Sequence, residues 1–84
     1  MPKIDWTETH DKIHCSLVFS DFQEAFSFMT RVALLAEKQD HHPKLTNVFN
    51  RVDIELTTHD AGNTVTEKDR KLAKAISQIL DSSH

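Results

Sequence analysis

The chain has 84 residues, a formal net charge of −3, one cysteine and six histidines. A single cysteine excludes an internal disulfide, and the acidic balance argues against a nucleic-acid binder, which usually carries a basic surplus. No stretch has the roughly 20 apolar residues of a membrane span, and no signal-peptide core is present, so we expect a cytoplasmic protein. A domain this short buries only about 60% of its unfolded surface, which favours assembly into an oligomer.

The first predicted elements are two short strands. Apolar side chains recur at every second position over residues 13–19, and this period of two is typical of a strand with one buried face. Trp6–Thr9 is predicted to pair with this strand through a turn at His10–Asp11. Because Cys15 lies on the apolar phase of the strand, we expect a buried, unreactive thiol rather than a nucleophile.

The longest apolar pattern predicts a helix that starts after Asp21. Asp21 is a helix-capping residue, and Glu24, three positions later, completes a capping box. Over residues 22–36 the apolar side chains cover about half of the helical cylinder, which is wider than an ordinary surface stripe. Such a face can pack on a sheet and still offer apolar surface to a second subunit. The helix is expected to end near His41–His42, because Pro43 disfavours helical angles in the residue before it.

The rest of the chain predicts two more strands and a second helix. Asn47–Thr58 alternates as an extended segment does, and Asn50 divides it into two strands. A turn follows at Asp60–Asn63, and Thr66 caps a final helix with Asp69 three positions later. The order β-β-α-β-β-α predicts a single α+β domain over all 84 residues: a four-stranded antiparallel sheet with helices packed on one face.

Three histidines lie where the predicted elements end, and such ends are where a rigid scaffold presents reactive side chains. His41 and His42 follow the first helix, and His59 follows the extended segment. A histidine at a helix carboxyl terminus can simply complement the helix dipole, but an adjacent pair before Pro43 together with a third favours a functional site. Zinc binding is a weaker alternative, because adjacent histidines and one distant cysteine make a poor ligand set.

A specific series of motifs runs through the second half of the chain. Its segments are Glu37–Pro43, Asn47–Val52, Leu56–Gly62 and Thr66–Asp69. With these motifs, and with further similarity over residues 19–33, the chain resembles the pterin-4a-carbinolamine dehydratase family. The likeness covers nearly the whole chain, so it is far more specific than an isolated His-His-Pro motif.

The resemblance implies which residues form the site. By this resemblance the catalytic residues are His41, His42 and His59. The residues implied to hold the pterin ring are His41, His42, Pro43, Thr58, His59, Asp60 and Ala61. The implied supporting residues are Glu37, Asp40, Asp69 and Trp6. The family also implies an assembly of α+β subunits, a tetramer built as a dimer of dimers.

Three departures from the family pattern affect these expectations. Leu45 stands where a tryptophan is common, which predicts a more open edge of the pocket. The loop Asp60–Val65 is one residue longer than the commonest form. Most members carry a helix before the tryptophan, whereas five residues precede Trp6 here, so a dimer is an alternative to the tetramer.

The resemblance implies the removal of water from 4a-hydroxytetrahydrobiopterin, in the recycling of tetrahydrobiopterin. Hydroxide leaves poorly unless it is protonated, and imidazole, which titrates near about pH 6.5, can give or take protons at neutral pH. Positioned acid–base groups typically contribute about 10²–10⁴ in rate. This chemistry requires no metal and no other cofactor.

The main alternative is a binding module without catalytic activity. Animal members of the family also act as dimerisation cofactors for a homeodomain transcription factor through the broad helix, which would add a nuclear location. The apolar face over residues 22–36 suits that role, although self-assembly explains the same face. The complete set of His41, His42 and His59 favours an enzyme.

Overall fold

The computed structural model describes residues 4–81, which form one sheet and two helices. The strands are β1 (Thr7–Glu8), β2 (Ile13–Val18), β3 (Lys44–Val48) and β4 (Arg51–Leu56). The helices are α1 (Phe22–Gln39) and α2 (Glu67–Asp81), and a 3-10 turn occupies His59–Ala61. Neighbouring strands are all antiparallel, in the order β1-β2-β4-β3. The predicted α+β fold with a four-stranded antiparallel sheet is confirmed.

One face of the sheet is buried beneath both helices. Strands β2 and β4 pair along their full length, with Cys15 opposite Ile54. Because side chains alternate along a strand, every second residue of both strands points into this core. Helix α2 adds Leu72 and Ile76, which are fully buried against the sheet. Each such apolar side chain contributes roughly 1.5–3 kcal/mol when buried, so this layer holds the central strands β2 and β4 in place. The thiol of Cys15 is buried as predicted, and burial raises its pKa to about 12.

Strand β3 starts earlier than the sequence pattern indicates. It begins at Lys44, directly after Pro43, whereas the alternation placed the extended segment from Asn47. That prediction was wrong because only Leu45 is apolar on the half-buried side of the strand, which it shares with Asn47. One apolar residue is too weak a signal of period two.

The turn between β3 and β4 lies where the sequence predicts a break. Val48 pairs with Arg51, so Phe49 and Asn50 form a two-residue connection. The side-chain amide of Asn50 donates to the carbonyl oxygen of Phe19 at 2.9 Å, which ties the turn to the end of β2. Phe49 has φ of +51°, in the left-handed region that bulky residues seldom occupy.

Helix α1 is capped as predicted and ends close to the histidine pair. The Asp21 carboxylate accepts the backbone N–H of Glu24 at 2.8 Å, which satisfies one free donor of the first turn. The Glu24 carboxylate in turn accepts the backbone N–H of Ser20 at 3.2 Å. The helix ends at Gln39, and Asp40 takes a left-handed conformation with φ of +52° that turns the chain sharply.

The apolar half-cylinder of α1 is divided between the core and the surface. Its buried side consists of Ala25, Phe28, Val32 and Ala36, and the first three belong to the main hydrophobic core. Its exposed large apolar side chains are Phe22, Phe26 and Leu34. We call these three residues the exposed α1 face.

Neither helix in residues 4–81 combines the length and the apolar composition that a membrane span requires.

Candidate active site

Two adjoining cavities open where α1 ends and β4 ends. The larger has a volume of about 610 Å³, within the range of small-molecule sites, and the smaller has about 170 Å³. Both are lined by His42, Thr57 and His59. The smaller cavity is also lined by Asp40, His41, Thr58, Asp60 and Lys68. The larger is also lined by Asp11, Lys12, Lys44, Glu55, Gly62 and Asn63. The three histidines predicted from the sequence therefore meet at one place.

The end of α1 sets the directions of His41 and His42. The backbone N–H of Asp40 binds the carbonyls of Ala36 and Glu37, and the backbone N–H of His41 binds that of Ala36 at 3.1 Å. These bonds close the helix with a left-handed residue, in the manner of common helix carboxyl-terminal caps. As a result, His41 turns towards the protein interior, and His42 points out into the cavities.

A buried carboxylate holds His41. The imidazole Nε2 of His41 lies 2.5 Å from Oδ1 of Asp69, whose side chain is completely buried. The second carboxylate oxygen, Oδ2, accepts the hydroxyl of Thr58 at 2.7 Å and the backbone N–H of Thr66 at 2.9 Å. The hydroxyls of Thr58 and Thr66 lie 2.6 Å apart. We call these four residues the buried network.

The buried network keeps Asp69 ionised. Burial alone raises the pKa of Asp69, but the hydrogen bonds from His41, Thr58 and the backbone of Thr66 outweigh burial and hold that pKa below its ordinary value. A buried carboxylate normally needs such compensation to stay charged. The network therefore places a negative charge directly behind His41.

The other two histidines are held at the surface. Nε2 of His42 lies 2.7 Å from Oε1 of Glu37, one turn back along α1, and Nδ1 of His59 lies 2.7 Å from Oδ1 of Asn63. Asn63 and Gly62 both adopt positive φ, at +58° and +79°, and this tight turn brings the amide back over the imidazole. His42 and His59 thus have polar partners and remain exposed to a ligand.

The remaining residues implied by the resemblance take up different positions. Asp40 lines the smaller cavity, but the carboxylate that contacts His41 belongs to Asp69. Pro43 and Ala61 connect the lining residues and are not among them. Trp6 is outside the linings as well: its indole N–H donates to the hydroxyl of Ser77 at 2.8 Å, on α2.

Several lining residues were not predicted from the sequence. Lys12, Glu55 and Thr57 lie on the open face of the sheet beside the larger cavity. The ammonium of Lys12 is 3.3 Å from the Glu55 carboxylate, and that of Lys44 is 4.0 Å from it. The alternation of β4 places Glu55 and Thr57 on the polar phase, and this is the signal that indicated their direction. It did not indicate that Lys12 and Lys44 would flank them.

The other described histidines lie outside both cavity linings, whereas one departure from the family pattern, the long loop, reaches His59 through Asn63. His10 is exposed and His14 half-buried, while His84 lies outside the described residues. Leu45 is partly buried against the core and lies outside the linings of the two cavities described above. Within the long loop, Thr64 bridges to Thr58, and the backbone N–H of Val65 binds the carbonyl of His10. Among residues 4–81, no three His, Cys, Asp or Glu side chains are grouped to hold a metal ion.

These features define a class of site: an open small-molecule cavity with three imidazoles, one backed by a buried charge, on an α+β scaffold. Imidazoles at such a site can donate and accept protons near neutral pH. The arrangement suits a reaction in which protons are transferred to and from a small molecule.

Comparison with known proteins identifies the family. Residues 1–79 match the family model described as pterin 4 alpha carbinolamine dehydratase. A relative from Christiangramia forsetii, named "Putative pterin-4-alpha-carbinolamine dehydratase", is 53% identical over 79 residues, 94% of this chain and 80% of the relative. A relative of the same name from Rhizorhabdus wittichii is 52% identical over 81 residues, 96% of this chain and 82% of that one. The chain belongs to the pterin-4a-carbinolamine dehydratase family, as its motifs predict.

A solved structure supports the same assignment. The crystal structure of a "transcriptional coactivator/pterin dehydratase" from Brucella melitensis matches with a TM-score of 0.81 and 46% identity. The match covers 88% of this chain and 80% of that chain. The names of the relatives and of this structure support a pterin dehydratase function for the chain.

Proposed function

We propose that this protein removes water from 4a-hydroxytetrahydrobiopterin to give quinonoid dihydrobiopterin, in the recycling of tetrahydrobiopterin in the cytoplasm. The observation that carries the proposal is the convergence of His41, His42 and His59 on one cavity of a family scaffold. The larger cavity, which His42 and His59 share, has room for the substituent that the bicyclic ring carries.

The reaction needs one proton delivered and one removed. The C4a–O bond breaks, the departing hydroxide takes a proton and leaves as water, and N5 loses its proton so that a C4a=N5 double bond forms. Positioned imidazoles can supply both transfers, and each contributes about 10²–10⁴ in rate. We assign His41 and His42 as candidate acids towards the hydroxyl, and His59 as the group that orients the ring or accepts the N5 proton.

The segments around the histidines hold the ring in this proposal. His41–Pro43 and Thr58–Ala61 form two sides of the cleft, and several of their residues line the smaller cavity. Glu37 and Asn63 orient His42 and His59 through the hydrogen bonds described above. Asp40 supports the cleft by terminating α1, and Trp6 supports it at a distance by fixing the amino-terminal segment to α2.

A rate assay tests the proposal directly. We expect the purified protein to accelerate dehydration of the chemically generated 4a-carbinolamine, with His42→Ala and His59→Ala each at least about tenfold slower. Lys74→Ala, an exposed change on α2 outside both cavities, is a matched control that should keep full activity. Full activity in both histidine variants would contradict the site.

We also propose that the protein forms a homo-oligomer through the exposed α1 face. Phe22, Phe26 and Leu34 are 48%, 51% and 68% exposed, and apolar side chains grouped on one helix are typical of an interface. A second copy of the chain is the proposed occupant, in a tetramer or a dimer. Light scattering should show an oligomer that Phe26→Ser weakens, and a monomer at micromolar concentration would contradict this.

A coactivator-like binding role is the second candidate function. The exposed α1 face favours it, together with the description of the Brucella melitensis protein as both coactivator and dehydratase. The two roles separate in the variants above: the histidine substitutions should leave binding intact, and Phe26→Ser should affect association before it affects the chemistry.

A further inference from the structure

The hydrogen bonds of the buried network have a fixed direction. The hydroxyl of Thr58 has one proton, and it donates this proton to Oδ2 of Asp69 at 2.7 Å. The contact of 2.6 Å between the hydroxyls of Thr58 and Thr66 therefore requires Thr66 to be the donor. The backbone N–H of Thr66 donates to the same Oδ2 at 2.9 Å. All of these donors point towards the carboxylate.

This direction determines which nitrogen of His41 carries a proton. Asp69 is ionised at neutral pH, because its pKa lies below its ordinary value, and it has no proton to donate. Its Oδ1 lies 2.5 Å from Nε2 of His41, so Nε2 must be the donor. Neutral His41 is consequently the Nε2–H tautomer with its lone pair on Nδ1. His41 lines the smaller cavity, and because Nε2 is engaged by Asp69, Nδ1 is the nitrogen left for a ligand.

We propose that Thr58, Thr66 and Asp69 act together as positioning residues that fix the tautomer of His41 and make Nδ1 the atom that exchanges a proton with the bound pterin. The identity of the ligand rests on the proposed function. The tautomer rests on the contacts within residues 4–81 and on the ionised state of Asp69.

A purely structural role as the cap of α2 accounts for only part of these contacts. In a capping box the side chain of the first residue binds the backbone N–H three positions on. The backbone N–H of Asp69 instead binds the carbonyl of Thr66 at 3.0 Å, and the Thr66 hydroxyl turns to Thr58. The hydroxyl thus serves the carboxylate behind His41 rather than the helix end.

Asp69→Asn is the variant that should change the tautomer of His41 while it keeps the position of the His41 ring. The Thr58 hydroxyl and the Thr66 backbone N–H both donate to Oδ2. The asparagine side chain must therefore place its amide oxygen at the Oδ2 position. Its NH₂ group then faces His41 and donates to Nε2, so the neutral ring carries its proton on Nδ1. The same exchange behind the histidine of a catalytic triad lowers kcat about 10⁴-fold with the geometry intact.

The first readout is spectroscopic and needs no substrate. Long-range ¹H–¹⁵N spectra of histidine-labelled protein near about pH 9, where imidazole is neutral, report the tautomer of each ring. The His41 signals are assigned by their loss in His41→Gln. We expect Nε2–H in the unmodified protein and Nδ1–H in Asp69→Asn. An Nδ1–H tautomer in the unmodified protein overturns the proposal, even if Asp69→Asn fails to fold.

The second readout is kinetic. We expect Asp69→Asn to lower kcat at least about tenfold while KM changes much less, because the cavity lining is kept. Asp53→Asn is the matched control: Asp53 also accepts a hydroxyl, from Ser16, and has a lowered pKa, but it lies outside both cavities. Full kcat with a reversed tautomer overturns the role of Nδ1.

Thr58 provides an independent test of the network. Thr58→Val removes the hydroxyl that donates to Asp69 and should lower kcat, while Thr58→Ser keeps this donor and should retain most of the activity. Equal activity of the two variants contradicts the proposal. If the unmodified protein accelerates no dehydration, the proposed function fails while the tautomer result stands, so the two failures can be told apart.

Discussion

The site contains two histidine–carboxylate pairs, and they differ in how freely the imidazole can move. His41 and Asp69 form the buried pair, and His42 and Glu37 form the exposed pair. The side chains of His41 and Asp69 are 11% and 0% exposed, whereas those of His42 and Glu37 are 58% and 79% exposed. Charged hydrogen bonds shielded from water are strong and geometrically restrictive, while exposed ion pairs contribute at most about 1 kcal/mol. The buried imidazole is therefore fixed before a ligand arrives, and the exposed one is free to turn towards it.

The largest expected difference is in the stability that is lost when each of the two carboxylates, Asp69 and Glu37, is removed. Asp69→Ala leaves the donors of Thr58, Thr66 and His41 without their buried acceptor and should destabilise the fold by about 3–5 kcal/mol. Glu37→Ala removes an exposed partner and should cost less than about 1 kcal/mol. Chemical denaturation of both variants measures the difference. Equal losses would mean that the buried network does not hold the fold.

Removing the two adjacent histidines should also cost different amounts of stability, with the larger loss at the buried His41. His41→Ala leaves Oδ1 of the buried Asp69 without a hydrogen-bond donor, which should cost about 1–3 kcal/mol of stability. His42→Ala removes an exposed ring and should change stability by less than about 0.5 kcal/mol, although it lowers activity. Thermal unfolding followed by circular dichroism gives both values. A larger loss in His42→Ala would reverse the assignment of the buried and exposed members.

Acid should weaken the buried pair selectively. The pKa of Asp69 is lower in the folded than in the unfolded protein, so its contribution to stability is complete above about pH 4 and is lost as the pH falls through the folded value. The difference in unfolding free energy between the unmodified protein and Asp69→Asn should then shrink below about pH 4. A constant difference from pH 7 to pH 3 would contradict the ionised state of Asp69.

Chelation should affect neither pair. Nε2 of His41, Nε2 of His42 and Nδ1 of His59 each already have an oxygen partner, and their spacing does not suit a closed zinc site. Exhaustive treatment with EDTA is expected to leave the dehydration rate unchanged. A loss of activity that zinc restores would show that a metal bridges the exposed histidines.

The three histidines of the site were more accessible to sequence reasoning than the carboxylate behind His41. His41, His42 and His59 stand at predicted element ends, where a scaffold presents reactive side chains, and the family resemblance implied that they share one site. Asp69 was named only through the family resemblance, because a carboxylate in the first turn of a helix is ordinarily a capping residue. Its contact with His41 spans 28 positions of sequence, and only the packing of α2 against α1 brings the two together.

The same limit applies to the fold. The alternation of apolar side chains in β2 and β4 predicted one buried face for each strand. The sheet was predicted from these strands. The first half of β3 was missed because Leu45 is its only inward apolar residue. Lys12 reaches Glu55 from the residue before β2, and Lys44 reaches it from β3. These contacts depend on a register that alternation does not determine.

The most direct test of the account is a stopped-flow measurement of 4a-carbinolamine dehydration by the unmodified protein and by the double variant His42→Ala/His59→Ala. We predict a rate well above the uncatalysed reaction for the unmodified protein and a rate close to it for the double variant. An unmodified protein that does not accelerate the reaction, or a double variant that keeps full activity, would contradict dehydration by these histidines.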